Sequence, residues 1–456
     1  MIQDVKRGTW GSRTGFILAA SGSAVGLGNI WGFPTQVGQG GGAAFVIVYL
    51  VCVFFVCFPI LVAELALGRR TRSSPVGAFS SLSPGSSWWL VGALGVLTGA
   101  GILSFYCVIA GWTIAYIGFA STSSFANDPQ SVGNFFQTFT NDGLTSMFLA
   151  LLVLSITAGI LLGGVRSGIE RVTKALMPSL LLLLVVLAIR AFTLPGSGAG
   201  LAYYLRPDFA MLTSIDVFNA ALGQAFFSLS LGMGTMITYG SYLRKTDGIA
   251  SCAAWVVLID TTIALLAGLI IFPAGFSIPG FDPGSSGPGL IFEVLPRLFA
   301  TIPGGRLFGS AFFLLLTMAA LTSTISLLEV PVSHLVDALQ WTRRKAVGIV
   351  TFFVFALSIP SALGNGYIDL LTNVPGLNDN FLNLMATVWN NFALPIGGLL
   401  IAIFVGWIWT PRQALDELTA HNASFPLPGL WSILIRWICP AAILSIIIAS
   451  LYGILL

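Results

Sequence analysis

The sequence predicts an all-α polytopic membrane protein, and three observations carry that reading. Hydrophobic residues make up 56% of the chain and charged residues only 8%, where a soluble domain carries roughly a quarter charged. Mean hydropathy is +0.92. Apolar residues run unbroken, as across 180–189, instead of alternating in the ~10-residue segments of a membrane β-barrel. A hydrocarbon core about 30 Å thick takes roughly 20 apolar residues per helical crossing. A helix satisfies its own backbone amides within that one segment, as lipid demands.

Eleven transmembrane helices are predicted, spans 1 to 11, at 15–38, 43–68, 90–122, 144–164, 170–192, 214–242, 250–273, 307–340, 346–363, 378–409 and 430–455. They form one domain, 1–456. With the N-terminus in the cytoplasm, all but four of the 20 Lys and Arg residues fall in inside segments; Arg190, Arg206, Arg297 and Arg306 lie outside. That excess sets the orientation, and an odd span number leaves the C-terminus outside. The expected location is the cell's inner (plasma) membrane. The polar start, 1–14, runs directly into a glycine-punctuated span, so no cleaved leader is expected. Cys52, Cys57, Cys107, Cys252 and Cys439 sit in or beside apolar runs and read as small packing residues. A net charge of +3 gives no reason to expect a nucleic-acid partner. The outer segment 274–306 is rich in Gly and Pro and holds one apolar piece, 290–299; it reads either as a loop or as a short helix over an entrance.

Span 1 contains Ser21-Gly22-Ser23-Ala24-Val25-Gly26-Leu27-Gly28-Asn29, followed by Pro34. Span 6 contains Gln224-Ala225-Phe226-Phe227-Ser228-Leu229-Ser230-Leu231-Gly232-Met233-Gly234. Each glycine weakens a helix by ~1 kcal/mol relative to alanine, so both stretches invite an unwound turn at mid-span. Unwound backbone at that depth is tolerated only where it lines a cavity or is buried in protein. There it frees carbonyls for a cation and N–H groups for a carboxylate. Five spans separate the two breaks, so a second copy of the unit inserts upside down. The expected architecture is a five-plus-five inverted repeat, approximately 12–192 and 214–409, plus an extra helix at 430–455. The glycines would alternatively permit close helix packing alone.

Span 8 adds Thr322 and Ser323, hydroxyls for an oxygen cage around a hard cation or for bonds back to their own helix. Asp260 lies deep in span 7. A carboxylate there is costly and reads as functional, and with no Lys or Arg at mid-span a bound cation is the fitting partner. Glu64 in span 2 bonds either to broken-helix backbone or lies near the inner interface.

The run 22–34 (GSAVGLGNIWGFP) together with 223–234 (GQAFFSLSLGMG) resembles the neurotransmitter:sodium symporter family. The pattern is nearest to its bacterial hydrophobic amino-acid transporters, which share the bacterial leucine transporter fold. The resemblance runs from residue 7 through span 11. It implies two Na⁺ sites: Ala24, Asn29, Ser228 and Asp260 in the first, and Gly22, Val25, Ala319, Thr322 and Ser323 in the second. It implies a substrate carboxylate held by the N–H groups of Leu27 and Gly28 and by the Tyr106 hydroxyl. The substrate amino group would face Ala24, Phe227, Ser228 and Ser230. The side chain would lie among Ile102, Phe227, Met233, Ser323 and Leu327. Gly26 stands where monoamine-transporting members carry an aspartate, so the substrate must bring its own carboxylate. Met233 in a Gly-Met-Gly setting points to bulky aliphatic or aromatic amino acids. An inner gate of Arg7, Trp10, Tyr242 and Asp337 is implied, in a monomer or weak dimer.

Two departures stand out. Gly32 and Asn383 occupy the positions of the charged outer gate, which leaves closure of the outer vestibule and the substrate class open to a betaine or small organic acid. Ala264 replaces a serine of the chloride-dependent members' site near Tyr49, Gln224 and Ser228. Asp260, one turn before it, supplies a negative charge of its own, so chloride is not expected to be required. Family members with Gly168 and Pro178 at this spacing unwind the inner end of span 5; a kinked helix with no gating role is the alternative. An enzyme is not expected: His334 and His421 both lie near the cytoplasmic side, and no span pairs a nucleophile with a base. A non-transporting sensor of the same fold would carry a soluble domain, and no stretch here is long enough.

Overall fold

The computed structural model describes residues 8–122, 132–278, 280–284, 290–376 and 379–455, and these form helices and connecting turns, with no strand among them. Among the described residues, nine helices are long and apolar enough to cross a membrane, and the bent pair Arg13–Ala24 and Gly28–Gln39 makes a tenth. Predicted span 6 is present as two shorter pieces, Ile215–Ser228 and Thr235–Gly240, which flank an interruption.

Burial sorts the spans. Within their most apolar windows, span 3 (Trp89–Thr122) is 78% buried and span 8 (Gly305–Leu339) 83%, whereas span 5 (Val165–Phe192) and span 11 (Pro428–Leu451) are 33% and 28% buried. Spans 3 and 8 pack along one another as the inner scaffold, and spans 5 and 11 turn apolar faces outward to lipid. Hydroxyl pairs tie the scaffold laterally: Thr113 to Thr317 at 2.9 Å and Thr157 to Thr324 at 2.8 Å. All five cysteines are free and buried.

In the segment 274–306, the apolar piece 290–299 is helical and not a plain loop: a wide turn over Leu290–Val294 continues into the short helix Leu295–Thr301, whose Leu295 and Leu298 are buried. The N-terminal end of span 5 also forms a wide helical turn, Val165–Glu170, that includes Gly168 and joins the helix Arg171–Phe192 with Pro178 inside it. The expected unwinding there is absent from this conformation.

Candidate substrate and cation site

The two interruptions form differently. The first half-helix of span 1 stops at Ala24, and Val25 turns extended at φ −75° and ψ 102° while its N–H still reaches the Ser21 carbonyl at 2.7 Å. A wide helical turn over Gly28–Gly32 then restarts the chain with a 52° bend. In span 6 three residues between 229 and 234 sit at positive φ: Ser230 at 53°, Gly232 at 78° and Gly234 at 75°. At Gly232 a Cβ would lie 2.2 Å from the Leu394 carbonyl oxygen, so both the backbone angle and the space demand glycine. Ser230 is not a glycine, and its strained backbone is held by its hydroxyl, which donates to the Ser23 carbonyl at 2.9 Å. The breaks are thus stitched to each other. Glu64, fully buried, takes the first of its two readings: Oε1 accepts the Gly232 N–H at 2.8 Å, so a carboxylate satisfies a freed amide that lipid could not.

Beside these breaks, Asn29, Ser228 and Asp260 converge. Asn29 Nδ2 donates to Asp260 Oδ1 at 2.7 Å, and the Ser228 hydroxyl donates to both Asp260 oxygens at 3.1 and 3.0 Å. Asn29 Oδ1 accepts the Gly26 N–H at 3.1 Å, which folds the unwound turn around the cluster. Tyr49 donates to Ser228 at 3.5 Å, and Gln224 Nε2 donates to the Gly28 carbonyl at 2.7 Å. Asp260 is wholly buried. A carboxylate in such a place requires a compensating positive charge or several donors, and the donors here are neutral. The cluster offers only oxygen ligands, the donor type of a hard cation.

A second oxygen cluster lies across span 8. The Thr322 hydroxyl donates to the carbonyls of Ala319 and Val25 at 2.8 and 3.2 Å, and Ser323 donates to Ser23 and Val25 carbonyls at 3.2 and 3.5 Å. Gly22 approaches closely: a Cβ on it would lie 3.3 Å from Thr322 Cβ. The Thr322 hydroxyl therefore bonds back to its own helix and across to the break of span 1 at once, whereas the Ser323 hydroxyl reaches across to that break.

Between the clusters a narrow cavity of about 20 Å³ is lined by Ser23, Ala24, Gly26, Gly28, Ile102, Tyr106, Phe227, Ser230, Met233, Ser323 and Leu327. Leu27 does not line it, but its N–H donates to the Tyr106 hydroxyl at 3.0 Å. Ser228 turns away from it toward Asp260. Ser23 was not among the expected residues, yet its hydroxyl donates to Ser326 at 2.7 Å and its carbonyl accepts from Ser230 and Ser323; its place one residue before Ala24 was the available signal. Gly28, Tyr106 and Phe227 are shared with a wider cavity of about 550 Å³, whose walls include Gly32, Gln224, Asn383, Asn390 and Asn391. The Gln224 carboxamide fills the space beside Gly32, where a Cβ would lie 3.0 Å from its Oε1.

The chain has close relatives among known proteins. The model of the sodium:neurotransmitter symporter family matches residues 7–132 and 129–454. The chain belongs to the sodium:neurotransmitter symporter family. It is therefore a sodium-dependent transporter of the membrane, built to bind a substrate, and not an enzyme. The uncharacterized sodium-dependent transporter YhdH of Bacillus subtilis (strain 168) is 37% identical over 98% of each chain. The sodium-dependent serotonin transporter of Drosophila melanogaster is 29% identical over 99% of this chain and 78% of its own. The crystal structure of MhsT in complex with L-phenylalanine superimposes with a TM-score of 0.89 at 43% identity, covering 97% of this symporter and 100% of MhsT.

At the N-terminal end of span 1 of this symporter, Trp10 Nε1 donates to the Tyr239 carbonyl at 3.0 Å, and its ring meets that of Tyr242 edge-on at 6.1 Å. Tyr242 donates to Glu329 at 2.7 Å, and Asp337 accepts the Ser74 N–H at 2.7 Å. Arg7 lies outside the described residues. Glu329 is a further buried acid that the sequence pattern did not single out; Arg343 donates to it at 3.0 Å. A carboxylate inside an apolar span was its signal.

Proposed function

We propose that this transporter imports an amino acid with a hydrophobic or aromatic side chain, coupled to two Na⁺ ions, by alternating access. The observation that carries the reading is the juxtaposition at the breaks. The Leu27 N–H and Tyr106 hydroxyl at 3.0 Å lie beside the same turn as Asn29, which is bonded to Asp260 at 2.7 Å. An amino-acid carboxylate at Leu27, Gly28 and Tyr106 would sit at the positive end of a half-helix and complete the shell of a Na⁺ held by Ala24, Asn29, Ser228 and Asp260. Gly22, Val25, Ala319, Thr322 and Ser323 would hold the second ion. Substrate and ion then each raise the affinity of the other by the same factor. Ile102, Phe227, Met233 and Leu327 give the side-chain end an apolar wall, and methionine adapts its shape to bulky groups. The L-phenylalanine bound by MhsT supports the aromatic preference.

The test is Na⁺-driven uptake of the twenty amino acids by proteoliposomes, with Asn29→Ala and Thr322→Ala as controls. Uptake is expected to favour large apolar side chains and to fall by about tenfold or more in each variant, as expected when one buried polar interaction is removed. Uptake of a betaine in preference to every amino acid would overturn the substrate assignment, and the neutral vestibule around Gly32 and Asn383 is the feature that would explain it. We further assign the N-terminus to the cytoplasm and the C-terminus to the outside.

Chloride is a separate prediction. Asp260 already brings a negative charge within 3.0 Å of Ser228, where an anion would otherwise compensate Na⁺. Replacing chloride by gluconate should leave uptake unchanged within error, and a several-fold loss would contradict the assignment.

A further inference from the structure

A second polar cavity, of about 330 Å³, lies at the inner ends of spans 1 and 5, lined by Gly11, Arg166, Ser167, Glu170, Arg171 and Lys174. Glu170, only 2% exposed, forms its floor. Its carboxylate accepts the Gly11 N–H at 2.6 Å, the Ser12 hydroxyl at 3.1 Å and Lys174 Nζ at 2.6 Å. Gly15 makes room for it, since a Cβ there would lie 2.0 Å from Glu170 Oε1. The single acid of the cavity is thus committed to its own wall.

The two guanidinium groups are not. Arg166 and Arg171 are exposed, and among the described residues neither has a hydrogen-bond or ion-pair partner. Arg166 lies against the start of span 1, with Nε 2.9 Å from where a Gly11 Cβ would stand. Three bases to one acid leave the cavity positive. The general excess of Lys and Arg on the inner side accounts for basic residues, but not for a concavity that gathers two unpaired guanidinium forks. That fork matches the oxygens of a phosphate. Span 5 is the wall that faces lipid, with 33% of its apolar window buried, so a phospholipid lying along it brings its headgroup to this depth.

We propose that this cavity binds a phosphate-bearing anion, the headgroup of an acidic phospholipid. Bound there, the phosphate bridges Arg166 and Arg171 and braces the start of the first half-helix against span 5. The leaflet concerned rests on the orientation proposed above, but binding itself does not, so the two readings fail separately.

Native mass spectrometry of the purified full chain in detergent tests the site. The probes are short-chain phosphatidylglycerol, short-chain phosphatidylcholine and sn-glycerol 3-phosphate. Phosphatidylglycerol is expected to bind saturably and more tightly than phosphatidylcholine. The affinity should fall roughly twentyfold in an Arg166→Gln/Arg171→Gln variant, which takes two positive charges away from the headgroup, and largely persist in Arg166→Lys/Arg171→Lys. Arginine-dependent binding of sn-glycerol 3-phosphate with equal affinity supports the phosphate site and assigns it to soluble phosphates. Na⁺-dependent stabilisation of the glutamine variant reports that it is folded. Equal adducts of the two lipids, or equal affinity in wild type and a folded glutamine variant, would overturn the proposal.

Discussion

Asp260→Asn is expected to lower the apparent Na⁺ affinity for substrate binding by about 100-fold, the equivalent of ~3 kcal/mol for removing a charge-assisted interaction from a buried site. Asp260 is 0% exposed and accepts from Asn29 and from Ser228. An asparagine keeps the shape and one acceptor oxygen but removes the only formal charge in that cluster. Because the wild-type carboxylate is expensive to bury without a cation, the fold itself should be no less stable in the variant. Equilibrium binding of labelled substrate over a Na⁺ titration, beside a thermal melt, separates these effects. An unchanged Na⁺ midpoint would remove Asp260 from ion coordination. A melting temperature many degrees lower would recast it as a structural residue.

Gly26→Ala is expected to cost substrate affinity about 30- to 100-fold, the range for forcing a methyl group into a packed site. The added carbon would stand 2.5 Å from Ser323 Oγ and 2.8 Å from the Tyr106 hydroxyl, both walls of the narrow cavity. Neither neighbour is free to move: Ser323 donates to Ser23, and Tyr106 accepts from Leu27. Gly28→Ala offers a contrast. Its Cβ meets the Phe227 ring at 2.9 Å, and Phe227 borders the wider cavity into which a ring can swing, so the loss should be smaller. Saturation binding on both variants at fixed high Na⁺ checks the order. Equal affinities in Gly26→Ala and wild type would place the substrate elsewhere.

The spans are legible in the sequence because lipid imposes a single length and a single polarity on every crossing. The two breaks are legible for the opposite reason: glycines and small hydroxyls at mid-span contradict that rule, and the structure interrupts the helices at 25–26 and 229–234. What the string of residues does not reveal is which neighbour a polar atom meets. Glu64 had two readings until the Gly232 N–H appeared 2.8 Å from it. Thr322 had two and takes both, since its hydroxyl reaches Ala319 and Val25 together. Glu329 escaped notice because its partner Arg343 lies beyond the end of span 8, counted as an ordinary inside charge. Ser23 escaped because its role depends on Ser230 being bent toward it by a positive φ that serine seldom adopts. Span 5 shows the limit of pattern in another way. Gly168 and Pro178 permit unwinding, but a wide helical turn satisfies the same amides in this conformation.

In the proposed mechanism, one broken pair of helices holds an ion and an anionic substrate against each other. Isothermal titration calorimetry of the purified transporter with its preferred amino acid, first in Na⁺ and then in K⁺ at equal ionic strength, tests it most directly. Affinity is expected to be at least tens of fold higher in Na⁺, within the roughly 5- to 150-fold coupling that linked sites commonly reach. Equal affinity in the two salts would contradict it.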